Sequence, residues 1–319
     1  MLLVTGGTGF VGSHLLEELA SRGIATRALV RRPLPERLHG TSVEACAGDL
    51  RTGSGLSEAL AGVSGVVHLA GCTKALRRSD YHDGNVLATR NLVEAAKGRS
   101  LRFVHISSLA AAGPGSGVRE DDPPNPVSEY GRSKLQGEQT VRASIPGAVI
   151  IRPPVVYGPR DTDVFQIFKS VAQGFSAEIA GGDRWFSSIY VKDLVLGLLA
   201  ALELPAAAGR TYYLAHRKSA TWSDLTGIVA RAMGRPAPRV IRVPMGVAHA
   251  VGACAELWSR CTGRPGIISR DKILEARFPA WTCDPSRAFR ELGFEAATSL
   301  EEGVAGALAW YREAGWLKY

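Results

Sequence analysis

The 319-residue chain predicts an α/β fold, a doubly wound parallel sheet with a smaller C-terminal substrate lobe. Three observations carry this. Short apolar runs alternate with segments of helical spacing through the first half. A glycine-rich turn joins the first run to the first helical segment. Beyond Gly158 the alternation loosens, and proline and glycine punctuate more often. Strands that alternate with helices lie parallel and are covered on both faces.

The elements follow in order. LLVT (2–5) is the first strand. FVGSHLLEELASR (10–22) is helical, with Val11, Leu15, Leu16 and Leu19 on one face and Gly23 closing it. ATRALV (25–30), VEACAG (43–48), VVHLAG (66–71), LRFVHISS (101–108) and AVIIRPPVVYG (148–158) read as further strands. Pro153 and Pro154 keep the last from continuing as a central strand. A nucleotide-binding domain is expected over 1–158 and a substrate lobe over 159–319, with some lobe segments returning to the first domain. Within the lobe, 181–200 suggests a short strand and an apolar helix, 209–215 a strand, and 244–260 an apolar helix. There is no internal repeat and no low-complexity tract.

The totals exclude several classes. No stretch supplies the roughly 20 apolar residues of a membrane span, and the first strand at Leu2 leaves no room for a signal peptide. The expected location is the cytoplasm. Cys46, Cys72, Cys254, Cys261 and Cys283 are odd in number, scattered and without a CxxC, so they predict reduced thiols and no zinc site. The net charge of +8 is spread along the chain without a long basic run, which argues against nucleic acid and suits an anionic small ligand.

TGGTGFVG (5–12) is the strongest local signal. Its glycines allow a tight turn and close approach of a pyrophosphate, and the following helix offers free N–H groups to that anion. Placed between a strand and an amphipathic helix, it predicts dinucleotide binding through Gly6, Thr8, Gly9, Phe10, Val11 and Gly12. About 20 residues further on, NAD-binding folds carry an acid for the ribose 2′-hydroxyl. This chain has Arg31 and Arg32, which suit a 2′-phosphate and predict NADP(H), with NAD as the alternative. Asp49 and Leu50 follow the third strand, where Asp49 can meet the adenine amino group. Leu69, Ala70 and Gly71 end the fourth, where the backbone must pass close to the cofactor.

YGRSK (130–134) places Tyr130 one helical turn before Lys134. Alone this is an ordinary surface pair. Together, TGGTGFVG, GDL (48–50), HLAG (68–71), YHDGNVLATRNLVEAA (81–96), HISS (105–108), YGRSK and RPPVVYGP (152–159) resemble the extended short-chain dehydrogenase/reductases, and the Rossmann-like fold of that family, over nearly the whole chain. Within it the chain looks closer to the dihydroflavonol-reductase and 3β-hydroxysteroid-dehydrogenase-like branch than to the sugar-nucleotide epimerases. The resemblance implies Tyr130 as general acid–base and Ser108 as the hydrogen-bond partner of the reacting oxygen, with Ser107 in support. It implies that Lys134 lowers the phenol pKa and reaches the nicotinamide ribose. It also implies Asn85 as a structural or water-holding residue at the cofactor, and Pro153, Val155 and Val156 as the floor of the nicotinamide site. A homodimer through helices 83–97 and 129–143 is the implied assembly.

The substrate is less constrained. Epimerases of the family carry an asparagine where Val155 stands and an arginine near the position of Phe186, with Arg184 as a substitute two residues away. Their loss favours an apolar carbonyl or alcohol over a nucleotide sugar. Phe165, Phe168, Phe175, Trp185, Phe186 and the stretch 244–258 are candidates to line a pocket or to be core. Lys74, Arg77 and Arg78 sit in a loop that could meet a carboxylate or phosphate, although a solvated loop accounts for them better. The helix at 244–260, with His249 and Glu256, is too short and mixed to span a bilayer but could touch its surface. Three functions compete: an NADPH-dependent reductase, an epimerase or dehydratase acting in place, and a non-catalytic NADP(H)-binding scaffold, which has no reason to keep the acid–base pair.

Overall fold

The computed structural model describes residues 1–179, 182–263, 266 and 269–318. One sheet dominates it. Its seven strands are β1 Leu2–Thr5, β2 Thr26–Val30, β3 Val43–Ala47, β4 Gly65–His68, β5 Arg102–Ile106, β6 Val149–Ile151 and β7 Thr211–Tyr212. They run parallel in the order β7-β6-β5-β4-β1-β2-β3. The strand order reverses beside β1, and the crevice at that reversal, at the carboxyl ends of the strands, is where such sheets take ligands. The fold is the doubly wound, Rossmann-like parallel sheet.

The sequence explains the layering. Every residue of β4 is buried, as expected for a strand covered on both faces. Val4, Leu15, Leu16 and Leu19 pack one layer with Leu194, Leu198 and Leu202. Leu3, Leu92, Phe103 and Val141 pack the other. The strand β7 and the helix Val191–Glu203 lie beyond residue 158 yet build the edge and one layer of this sheet.

The run 148–158 divides in two. After β6, the strand Val155–Tyr157 leaves the main sheet and pairs in parallel with Ser188–Tyr190. Pro153 and Pro154, which cannot donate to a ladder, stand at the break. A second core holds Phe165, Phe168, Phe186, Leu225, Val229, Leu308 and Tyr311. Phe165, Phe168 and Phe186 therefore fill the interior of the lobe and do not line a pocket. Trp185 is 52% exposed.

One polar lock joins the halves and another braces the first domain. The Arg160 guanidinium reaches both Glu17 oxygens at 2.6 Å and Nδ1 of His14 at 2.7 Å, while Nε2 of His14 donates to the Pro159 carbonyl at 2.9 Å. Burial first, and the neighbouring Arg160 charge, lower the His14 pKa to about 4, which keeps this ring neutral. Deeper in, Arg152 meets Glu138 through two bonds of 2.9 and 2.7 Å, both side chains being almost fully buried. Removing one partner strands a buried charge. Glu138→Ala is expected to cost about 3–5 kcal/mol of stability, seen as a drop in thermal unfolding temperature that Glu138→Ala/Arg152→Met partly restores.

Candidate active site

The crevice begins at the glycine turn. Gly6 has φ +73°, and a Cβ there would lie 2.6 Å from the Ala70 nitrogen. A Cβ on Gly12 would lie 2.1 Å from the Gly6 carbonyl oxygen. A side chain at Gly6 would drive the turn from the loop after β4, and one at Gly12 would drive the following helix from the turn. Helix α1, Phe10–Ser21, starts from Gly9 with no side-chain cap on its first turn. Its N-terminal amides are the ones a phosphate takes. Thr8 and Gly9 are exposed at that end, and Phe10 and Val11 partly so.

The other expected cofactor residues follow the carboxyl ends of β2, β3, β4 and β6. Arg31 and Arg32 are exposed just past β2, without a hydrogen bond or ion pair to any described residue. Asp49 is half-buried, and one of its carboxylate oxygens accepts the Arg51 N–H at 2.8 Å. Leu50 is buried, Leu69 and Ala70 are half-buried, and Gly71 is exposed. Val155 and Val156 are half-buried on their strand, following the buried Pro153.

Tyr130 and Lys134 sit on helix α2, Glu129–Ser144, capped by Ser128, whose hydroxyl accepts the Gly131 N–H at 3.0 Å. Two glycines seat this helix. A Cβ on Gly131 would be 2.3 Å from the Ala110 carbonyl oxygen, and one on Gly137 would be 2.8 Å from that of Asn85. The helix so seated carries the Tyr130 phenol near Ser108, whose hydroxyl favours the ionised form of the phenol. The Ser108 hydroxyl also accepts the Ala110 N–H at 3.1 Å.

The charges differ from expectation. Lys134 is 6% exposed and donates to the Ile106 carbonyl at 2.6 Å. Burial lowers its pKa to about 8. The expected lowering of the Tyr130 pKa is overturned: burial raises it, and this outweighs the nearby Ser108 hydroxyl and the positive charge of Lys272. The cation acting on the phenol is thus Lys272, while Lys134 is turned to Ile106. Ser107 is buried and donates to Glu138 at 2.5 Å, so its hydroxyl is spent inside the ion-pair network. Asn85 lies in a π-helical turn, Asp83–Leu87, and its amide accepts the Cys72 N–H at 2.7 Å and donates to the Cys72 carbonyl and the Ser133 hydroxyl. It staples the loop after β4 to α2.

One part of the site has no counterpart in the sequence reading. A short helix, Arg270–Glu275, lies over the first turn of α2. The Asp271 carboxylate accepts the N–H groups of Glu129 at 2.8 Å and Tyr130 at 3.1 Å. Glu275 accepts the Ser128 hydroxyl at 2.7 Å. The Lys272 ammonium stands 5.7 Å from the Tyr130 ring centre and pairs with Glu275 at 3.1 Å. The Ser269 cap was the one local signal of this helix, and nothing in RDKILE names its partner.

The remaining expected contacts are engaged elsewhere. Lys74 pairs with Asp163 across the cleft. Arg184 donates to the carbonyls of Ala276 at 2.5 Å, Ile179 at 2.6 Å and Gly182 at 3.1 Å, which fixes it as a brace of the lobe. Phe186 stacks on Trp222 at 4.6 Å.

A family model described as the NAD dependent epimerase/dehydratase family matches residues 2–215. Among curated proteins, a ceramide reductase of Caulobacter vibrioides is 33% identical, with 99% of this chain and 96% of that protein covered. A 2-alkyl-3-oxoalkanoate reductase of Stenotrophomonas maltophilia is 29% identical, with 95% and 97% covered. Among solved structures, MoeE5 in complex with UDP-glucuronic acid and NAD superposes with a TM-score of 0.78 at 27% identity, covering 98% of this chain and 99% of that one.

Proposed function

Because the chain belongs to the NAD dependent epimerase/dehydratase family, we propose that it is an NADP(H)-dependent carbonyl reductase acting on an apolar, lipid-like ketone, or in reverse on the secondary alcohol. The observation that carries this reading is the Tyr130 phenol, near the Ser108 hydroxyl and held protonated by burial. A protonated phenol is the form that serves a reduction.

In this reading the amides at the start of α1 hold the pyrophosphate, and Arg31 and Arg32 hold the 2′-phosphate. The glycine turn, whose tight packing leaves an uncapped helix end, fits such a group. The dinucleotide, when bound, supplies the hydride in reduction and accepts it in the reverse. Tyr130 gives its proton to the carbonyl oxygen as charge develops there, and Ser108 donates a hydrogen bond to the same oxygen. Lys272 offsets the charge left on the phenolate. Lys134 holds the nicotinamide ribose, so its ammonium must be present. With a pKa lowered to about 8, that charge is nearly complete at pH 7 and is lost progressively as pH rises through 8. NADPH binding, titrated against pH, is expected to be level from pH 6 to 7 and to weaken as pH rises through about 8.

The apolar substrate is supported by the bracing of Arg184 on carbonyls and by Val155 in place of a polar diphosphate contact. It agrees with the names of the ceramide and oxoalkanoate reductases, which match along nearly their whole length. A second reading, in-place epimerisation of a nucleotide sugar, is favoured by the likeness to MoeE5. The same proposal includes a homodimer through α2 and the helix Ala88–Ala96, and a cytoplasmic location.

The test is turnover. The purified enzyme with NADPH and a long-chain 3-oxo ester is expected to oxidise the cofactor and form alcohol in equal amounts. Conversion of a UDP-sugar with no net change in the cofactor, and none of the ester, would overturn the proposal.

A further inference from the structure

The lobe carries an apolar surface that the catalytic reading does not use. Helix α3, Met245–Thr262, turns Val247, Val251, Leu257 and Trp258 outward, at 51, 46, 64 and 73% exposure. Cys254 and Cys261 are exposed in the same spacing, so the stripe has a member on every turn and no charge within it. The opposite side, at Ala248, Gly252 and Ser259, is buried. The stretch therefore does not line a pocket. The strand Arg239–Val243 leads into α3 through Pro244 and exposes Val240 and Ile241 between Arg239 and Arg242.

The charge of this region identifies what covers it. Residues 235–272 hold seven Lys and Arg against two Asp and Glu, most of the +8 of the whole chain. A two-fold contact through the stripe would bring two such segments together, like against like. An anionic lipid surface is complementary to both features, the apolar stripe entering the acyl boundary and the arginines meeting the headgroups. An exposed tryptophan suits that boundary. No helix among the described residues is long and apolar enough to cross the bilayer, so the contact is interfacial.

Position gives the surface a purpose. Helix α4, Arg270–Glu275, which carries Asp271 and Lys272 onto the Tyr130 helix, packs on the buried side of α3, where a Cβ on Gly252 would lie 3.1 Å from Ile273. Arg270 pairs with Glu256 of α3 at 3.5 Å. One pair of helices thus faces outward with the stripe and inward with the cover of the active site.

We propose that α3 and the strand before it dock the protein on an anionic bilayer, at the place where a lipid substrate passes under α4 to Tyr130. Only the passage of substrate rests on the function proposed above. The docking does not, and vesicle binding reads it without catalysis.

The experiment is co-sedimentation of the full chain with vesicles of phosphatidylcholine alone and of phosphatidylcholine mixed with phosphatidylglycerol. The expected result is binding to the mixed vesicles at least about tenfold tighter than to the neutral ones, weakened by salt. Leu257→Ser/Trp258→Ser and, separately, Arg239→Gln/Arg242→Gln are each expected to lower it about tenfold. Neither pair should change turnover of a small soluble ketone or the sedimentation coefficient. No binding to mixed vesicles would overturn the proposal. So would a loss of oligomeric state in the Leu257→Ser/Trp258→Ser protein, which would show that a second copy covers the stripe.

Discussion

Tyr130→Phe is expected to lower kcat for carbonyl reduction by about 10³-fold while leaving NADPH affinity and thermal stability nearly unchanged. The phenylalanine keeps the ring, and with it the contacts to Tyr81 at 6.0 Å and to the Lys272 ammonium at 5.7 Å. What disappears is the hydroxyl near Ser108. Because burial raises the phenol pKa, the proton stays on Tyr130 through neutral pH, and the wild-type reduction should not lose this acid until well into the alkaline range. Rapid mixing under single-turnover conditions separates the chemical step from binding. A variant that loses affinity and stability together would make Tyr130 a packing residue.

Arg31→Ala/Arg32→Ala is expected to weaken NADPH binding by about 100-fold or more and NADH binding hardly at all. Two charge-assisted hydrogen bonds to a phosphate, at about 1.5–3 kcal/mol each, set that scale. Both guanidiniums are exposed past β2 and make no ion pair with a described residue, so their removal leaves no partner stranded. The wild-type preference should shrink with ionic strength. Titration of both nucleotides by fluorescence of the reduced nicotinamide reads this directly. Equal affinities in the wild type would remove the arginines from the cofactor site.

Much of the sheet was legible because its physics is local. The strands that begin at Leu2, Thr26, Val43, Gly65 and Arg102 are apolar runs between turn residues, and the glycine turn marks the first of them. Gly131 and Gly137 show a limit. Their spacing is visible in the sequence, but only the packed structure shows that Ala110 and Asn85 demand the absence of a side chain. The TYY run at 211–213 reads as a strand, yet nothing local places β7 at the edge of the first sheet. The aromatic residues of the lobe could be pocket or core, and pattern alone does not distinguish them.

The site divides in the same way. Tyr130, Lys134 and Ser108 were expected from the family resemblance, and Ser108 lies near the Tyr130 phenol. The electrostatics were not legible. Lys134 was expected to tune the phenol from one turn away, but its ammonium goes to the Ile106 carbonyl, and the cation over the ring comes from a residue 142 positions later in the sequence. Asp271 and Glu275 were missed for the same reason. Their partners are the backbone and cap of α2, and no periodicity in a six-residue helix points across that distance.

The central claim is an exchanging, NADP(H)-dependent reductase, and the nucleotide content of the purified protein tests it most directly. The protein is denatured, any released nucleotide is identified by chromatography, and NADPH and NADH are titrated against native protein. Little retained nucleotide is expected, with a site that takes NADPH much more tightly than NADH. Tightly retained NAD or NADH, with no preference for the 2′-phosphate, would contradict it and would make this an enzyme that oxidises and re-reduces one substrate in place.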